Sequence, residues 1–247
     1  MMRFVIVVSS LLASATAFAA EVKLAVAANF SAPMKDIAQA FEAATGHKLL
    51  VTPGATGKFY AQIVNGAPFE VFMAADDETP AKLEKEGFGV PGTRFTYAIG
   101  QLALWSPAAN TVDSAGQVLK NGNFRYLAIA NPKVAPYGMA AVQVMQGMGV
   151  YTQLESRIVQ GESIAQTYQF VATGNASLGF VALSQILDQG KIKSGSAWVV
   201  PDTMHDALKQ DAILLNPGKS SEAAKSLMTF MKSEKAKKII RSYGYKL

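Results

Sequence analysis

From residue 21 to the C-terminus, short apolar runs alternate with stretches of helical periodicity, and this rhythm restricts the fold more than any other feature. The runs at residues 22–27, 49–52, 69–74, 98–105, 126–130, 157–160, 178–183 and 197–200 have the length and character of buried strands. Between them, residues 34–44, 59–64, 81–86, 139–148, 164–172 and 182–188 suit helices. Neighbouring parallel strands need a crossover, and a helix packed on the sheet supplies one. The chain is therefore read as α/β, with mainly parallel sheets covered by helices.

No low-complexity linker and no clear internal repeat divides the chain. Residues 96–105 form one long apolar stretch able to run from one lobe into the next, and residues 197–201 can bring the chain back. This predicts a two-lobe arrangement with a discontinuous lobe I (residues 21–102 with 199–247) and a lobe II at 103–198. Two crossings permit hinge closure on a ligand held between the lobes.

Residues 1–20 read as an export signal. Arg3 gives a short positive start, residues 4–12 are mostly apolar, and Ala17-Phe18-Ala19 supplies a small-x-small cleavage pattern. The apolar run is shorter than the ~20 residues a spanning helix needs. Its removal leaves about 227 of the 247 residues, enough for two lobes with real cores, and places the mature protein in the periplasm. The chain has no cysteine, so disulfides and thiolate metal sites are excluded. A net charge of +5, with no basic stripe interleaved with aromatics, gives no nucleic-acid footprint.

Four loops stand where a predicted strand gives way to a helix: residues 28–30, 54–57, 131–138 and 161–164. A helix start leaves N–H groups unpaired and carries about half a positive charge, so several converging on one cleft can hold an anion without Lys or Arg. In the first loop Asn29 offers a side-chain amide as well as its N–H, with Ser31 as N-cap and Pro33 in the first turn. In the second, Thr56 offers a hydroxyl and an N–H, Gly57 lets the backbone approach a ligand, and Lys58 reads equally well as a solvated first-turn residue. Tyr137 presents its N–H behind Pro136, its phenol packing at the lobe edge. Ser163 caps a helix at which Ile164 contributes backbone only, and Glu162 faces water. Together these groups form a donor-only cradle for an oxyanion.

Rival chemistries fail on spacing or on partners. Gly54 and Gly57 are too close for a phosphate-binding P-loop, and Phe59 follows Lys58 where Ser or Thr is needed. No Gly-x-Ser-x-Gly, His-Glu-x-x-His or Cys nucleophile is present, and His47 and His205 lie away from the four loops, so no enzyme activity is expected. Asp76-Asp77-Glu78 reads as the N-cap region of the next helix rather than a metal site. Met139, Met145 and Met148 have helical spacing that suits packing rather than copper. Arg94, Arg125 and Arg157 fall outside the cradle, against an amino-acid receptor, and Tyr137 stands alone, against a ferric-ion receptor. The basic pattern at 232–241 reads as the exposed face of a terminal helix.

The order and spacing of Asn29-Phe30, the 54–68 segment, Ala74-Ala75-Asp76, residues 94–100, 131–138 and 178–183 resemble the periplasmic molybdate-binding proteins of molybdate ABC transporters, over essentially the whole mature chain. The resemblance implies a periplasmic-binding-protein-like fold of two lobes with the ligand in the cleft between them. It also implies a monomeric receptor without a cofactor, which delivers molybdate or tungstate to a permease in the inner membrane. Carried over by position, the ligand contacts are Ala28, Asn29, Thr56, Tyr137 and Ile164. Thr56 stands where serine is common, Ala28 where some relatives have a hydroxyl, and Ala182 where some have a tyrosine. Another tetrahedral oxyanion, such as sulfate or chromate, is the alternative ligand, and a secreted enzyme acting on an anionic substrate is the more distant one.

Overall fold

The computed structural model describes residues 19–188 and 190–247, so the export segment read at residues 1–20 lies almost wholly outside the described residues. Strand β1 (Glu21–Ala27) passes through a single 3-10 turn (Ala28–Phe30) into helix α1 (Ser31–Thr45). In the same manner β2 (Lys48–Gly54) feeds α2 (Thr56–Val64), and β3 (Val71–Met73) feeds α3 (Glu78–Lys85). Strands β4 (Phe95–Gly100) and β5 (Leu102–Ser106) follow with only Gln101 between them. Next come α4 (Val118–Asn121), β6 (Leu127–Ala130), α5 (Pro136–Gly147) and α6 (Tyr151–Leu154). They lead to β7 (Ile158–Gly161), α7 (Ile164–Ala172), β8 (Leu178–Ala182) and α8 (Leu183–Ile186). The pair β9 (Leu187–Asp188) and β10 (Lys191–Ile192) precedes β11 (Ser196–Val199), β12 (Leu208–Leu214), α9 (Glu222–Phe230) and α10 (Glu234–Ser242).

Ten of these strands build two 5-stranded sheets, ordered β2-β1-β3-β12-β4 and β11-β5-β8-β6-β7. In the first sheet β12 runs against its neighbours, and in the second β5 does. The other strands of each sheet share one direction, as expected of an α/β fold with mainly parallel sheets. Read from β7, the second sheet repeats the strand arrangement of the first. The sequence shows no repeat because only the topology is shared.

Helix and strand chemistry agree locally. In α1 the residues Met34, Ile37 and Phe41 recur at helical spacing and are fully buried, and Gly46 ends the helix at φ +75°, its N–H donating to Glu42 O. Apolar clusters cover both faces of the first sheet and both faces of the second. The larger cluster of the second sheet also takes in Ala27, Ala28, Ala75 and Leu208 from the first half, so the two halves pack against each other across the cleft.

The predicted strand at 98–105 is divided: β4 belongs to one sheet and β5 to the other, with Gln101 at the crossing. There the Gln101 carbonyl accepts from Leu183 N–H (2.9 Å), and Val200 N–H donates to Leu102 O (3.0 Å) on the returning strand. The predicted helix at 182–188 shortens to α8, because Leu187 and Asp188 leave it to pair with β10. Strand β12 was not anticipated, since Lys209, Gln210 and Asp211 break its apolar pattern. Two of these polar residues, Gln210 and Asp211, are nevertheless buried, and a register shift between them marks a β-bulge.

Candidate oxyanion site

Ala28, Asn29, Thr56, Tyr137 and Ile164 all line one cavity where the halves meet. The first three come from the starts of α1 and α2, and the other two from the starts of α5 and α7. The lining contains no Lys, Arg, Asp or Glu among the described residues. Its polar groups are therefore backbone amides, the Thr56 hydroxyl and the Asn29 carboxamide.

At three of the helix starts the hydrogen bonds can be accounted for one by one. In α2, Gly57 N–H donates to Val134 O (2.9 Å), and Lys58 and Phe59 N–H both donate to Ala55 O (3.1 Å). In α5, Gly138 and Met139 N–H donate to Ala135 O, at 2.9 and 3.2 Å. In α7, Gln166 N–H reaches Ser163 Oγ (3.3 Å), and Thr167 N–H reaches Ser163 O (3.0 Å). The N–H groups of Thr56, Tyr137 and Ile164 have no acceptor among the described residues. Ala165 N–H is likewise without an acceptor among the described residues but does not line the cavity; the three donors beside it, at three dipole ends, make an anion site of the kind helix starts provide.

Thr56 adds a directed hydroxyl. Its Oγ1 accepts from Ala75 N–H (3.0 Å), which takes one of its two lone pairs and leaves the hydroxyl proton to point elsewhere, and the residue is only 2% exposed. At the fourth corner Gln185, not singled out from sequence, accepts from Ala182 N–H (2.9 Å) and donates to Ile164 O (3.1 Å), which fixes the start of α7. Ser163 caps α7 as expected.

Several expected roles are corrected. Ser31 does not cap α1: its hydroxyl donates to Ala28 O (2.9 Å), because the 3-10 turn before the helix presents that carbonyl. The Asn29 amide nitrogen points to Gln210 Oε1 (2.9 Å) and Tyr245 OH (3.0 Å), so in this conformation the cradle receives no NH2 from it. Its Oδ1 is buried without a partner among the described residues. Gly57 admits the opposite half rather than a ligand, for a Cβ there would sit 3.0 Å from Val134 Cα. The Tyr137 phenol does not pack at an edge: it is buried and accepts from Gln210 Nε2 (3.2 Å). Glu162 does not simply face water but pairs with Lys58 across the cleft (2.7 Å). Both side chains stay about half exposed, and such pairs contribute at most about 1 kcal/mol.

The remaining candidates fall outside the cavity. Met145 is buried and Met148 packs against the core, whereas Met139 is 47% exposed because its face of α5 looks into the open part of the cleft. His47 Nδ1 accepts from Ala20 N–H (3.3 Å), and His205 lies beside the Asp206 carbonyl. The phenols of Tyr97 and Tyr137 are pushed well above their ordinary pKa by burial, and that of Tyr245 up to about 12, so all three stay neutral behind the cradle.

Asp76, one residue before the N-cap Asp77, holds the first turn of α3, accepting from Thr79 N–H (2.9 Å) and Thr79 Oγ1 (3.0 Å). Burial nevertheless raises its pKa from 3.8 to about 6; the two Thr79 bonds oppose the rise, and the Glu78 and Asp77 charges add to it. A carboxyl group with a raised folded-state pKa binds more protons folded than unfolded between about 4 and 6, so its contribution to stability falls as pH rises through that window. Asp76→Asn is expected to remove about 2 kcal/mol of that pH dependence. Urea unfolding at pH 4 and pH 7 measures it, and an unchanged slope between the two pH values would refute the assignment.

A model of the bacterial extracellular solute-binding proteins matches residues 22–246. The molybdate-binding protein ModA of Azotobacter vinelandii is 56% identical over 245 residues, covering 99% of this chain and 97% of the relative. That of Rhodobacter capsulatus is 51% identical over 229 residues, covering 93% and 89%. A solved periplasmic molybdate-binding protein of Azotobacter vinelandii superposes with a TM-score of 0.89 at 42% identity, over 92% of this chain and 99% of that one. With the fold and nearly the full length held in common, this chain belongs to the bacterial extracellular solute-binding protein family.

Proposed function

We propose that the protein is a periplasmic receptor that captures molybdate, and tungstate with it, and hands the anion to an ABC transporter permease in the inner membrane. It binds rather than catalyses, works as a monomer and carries no resident cofactor. Ala28, Asn29, Thr56, Tyr137 and Ile164 form the anion's shell. Lobe I comprises residues 21–100 with 201–247 and lobe II residues 102–199, bounds shifted by one or two residues from the 102/103 and 198/199 read in the sequence so that β5 and β11 stay whole, hinged where Gln101 and Val200 cross between the sheets. Closure follows because donors from lobe II complete the shell only when the lobes meet. The observation that carries this reading is the convergence of three unpaired helix-start amides and the Thr56 hydroxyl on one uncharged cavity. Relatives that share half or more of the sequence bear the name molybdate-binding protein.

Energies support capture without a formal cation. Each hydrogen bond to a charged group contributes roughly 1.5–3 kcal/mol net, so the Thr56 hydroxyl and the amides of Thr56, Tyr137 and Ile164 supply about 6–12 kcal/mol, and each helix start adds about 0.3–2 kcal/mol, against the ~8 kcal/mol of micromolar binding. A shell of donors also favours a fully deprotonated dianion over hydrogen phosphate, whose proton would find no acceptor. Sulfate is smaller and leaves the donors at stretched distances. Calorimetric titration is therefore expected to show tight binding of molybdate and tungstate and weaker binding of sulfate, phosphate and chromate. Sulfate or phosphate binding at least as tightly as molybdate would overturn the selectivity.

Thr56→Ala removes the one hydroxyl donor and is expected to weaken molybdate by roughly 1–3 kcal/mol. The same titration on the variant checks it. Unchanged affinity would reduce Thr56 to its contact with Ala75.

A further inference from the structure

Behind the cavity lies a buried carboxamide that does not line it and that the functional reading leaves unused. It belongs to Gln210 on β12, which has no exposed surface. On one side Gln210 Oε1 accepts from Asn29 Nδ2 (2.9 Å) and lies 3.0 Å from Tyr97 OH, whose single proton also faces Ala74 O (2.9 Å). On the other, Nε2 donates to Tyr137 OH (3.2 Å). Asn29 belongs to the half built around β1, Tyr137 to the half built around β6, and each also lines the cavity.

We propose that Gln210 is a positioning residue that ties the two halves of the anion shell together, so that release from one half requires breaking its bond to the other. The proposal rests on the reading of the site as a molybdate receptor. In the structure Gln210 Oε1 faces the Asn29 NH2 and Nε2 faces the Tyr137 phenol, so one carboxamide spans both. The seat of the phenol is specific: a Cβ on Gly100 would lie 2.1 Å from Tyr137 Oη and 2.5 Å from Gln210 Nε2, so only glycine lets the phenol reach its donor. The Asn29 and Tyr97 bonds stay within one half and survive opening. The Tyr137 bond crosses between the halves and exists only when they meet. Other crossing bonds are independent of Gln210: Ser184 Oγ donates to Asn29 O (2.9 Å), and Tyr245 OH lies 3.0 Å from Ser184 Oγ. Removing Gln210 therefore leaves the halves able to dock while uncoupling their ligand residues.

A double-mutant cycle with Gln210→Met and Tyr137→Phe tests this on the full chain, with molybdate release and association followed by stopped flow. Each single substitution is expected to speed release about tenfold, the value of one net hydrogen bond, with association within about twofold of wild type. The double variant is expected to release no faster than the faster single one. In urea unfolding of molybdate-free protein, where the crossing bond is open, the two substitutions are expected to add. Additive effects on release, or the same non-additivity in unfolding without molybdate, would overturn the coupling and leave a structural role. If Gln210→Met fails to fold, Tyr137→Phe alone decides: faster release with unchanged unfolding supports the proposal, and wild-type release refutes it. A wild-type protein that binds no molybdate would refute the functional reading and the coupling with it. One that binds while its variants release normally would refute the coupling alone.

Discussion

Asn29→Asp is expected to weaken molybdate binding by roughly 10²–10⁴-fold at pH 8, the largest single effect in the site. The side chains are nearly isosteric, so the fold has no steric reason to change. What changes is charge. The Asn29 amide nitrogen donates to Gln210 Oε1 and Tyr245 OH, and a carboxylate cannot donate to either. It also places a negative charge beside a dianion in a site that is 2% exposed at this residue. At ~5 Å and an effective dielectric constant of ~20 that repulsion reaches about 6–7 kcal/mol, of which proton uptake and relaxation recover part. Proton uptake makes the penalty depend on pH. Because the anion is bound best when the new carboxyl group is neutral, affinity of the variant falls as pH rises above that group's pKa and levels off below it. Titrations at pH 5 and pH 8 on wild type and variant separate this from unfolding, since the wild type carries no such group at residue 29. Equal affinity of the two proteins at pH 8 would place Asn29 outside the anion's shell.

The parts of the site that are local in sequence were legible. Helix α7 is read from sequence at residues 164–172, the bounds it has in the structure, because Ser163 supplies a capping hydroxyl ahead of a run with helical periodicity. The strand-to-helix loops were visible for the same reason, and the five residues drawn from them do meet at one cavity. The supporting groups were not legible. Gln210 lies 181 residues from Asn29, and nothing near either residue reports their contact. Strand β12, which carries Gln210, was missed because its polar centre resembles a solvated segment until the β-bulge buries it.

The expectations for Gly57, Glu162 and the Tyr137 phenol differ from the structure for one reason: each rested on its own neighbourhood, and its partner lies across the cleft. Gly57 was given to the ligand because glycine permits close approach, yet what approaches is Val134. Glu162 reads from sequence as facing water and Lys58 reads equally well as solvated, yet they meet. Residues 94–100 supported the family resemblance without an evident physical reason, and the structure supplies one. Arg94 and Thr96 hold Asp211, Tyr97 holds Gln210, and Gly100 makes room for Tyr137.

Arg94→Met is expected to cost about 2–4 kcal/mol of folding stability, the largest loss from a residue outside the cavity. Asp211 is 1% exposed, and its carboxylate accepts from Arg94 Nη1 (2.5 Å) and Thr96 Oγ1 (2.6 Å). Removing the guanidinium leaves a buried charge with one neutral donor. A dry site would lose more, but the Arg94 side chain is 35% exposed and water can follow it in, which sets the upper limit. The loss corresponds to a fall in Tm of about 5–15 °C for a domain of this size, and to a lower urea midpoint at unchanged slope. Asp211→Asn in the same background keeps an acceptor for Thr96 and removes the stranded charge, so it is expected to recover most of the deficit. If the single variant melts with the wild type, the buried pair contributes nothing net. If the double variant melts no higher than the single one, the cost lies in lost packing of the Arg94 stem and not in the carboxylate. Because Asp211 adjoins Gln210 at the β-bulge, a charge left unpaired there also loosens the strand that sets the Asn29 amide, so faster molybdate release is expected to accompany the lower Tm.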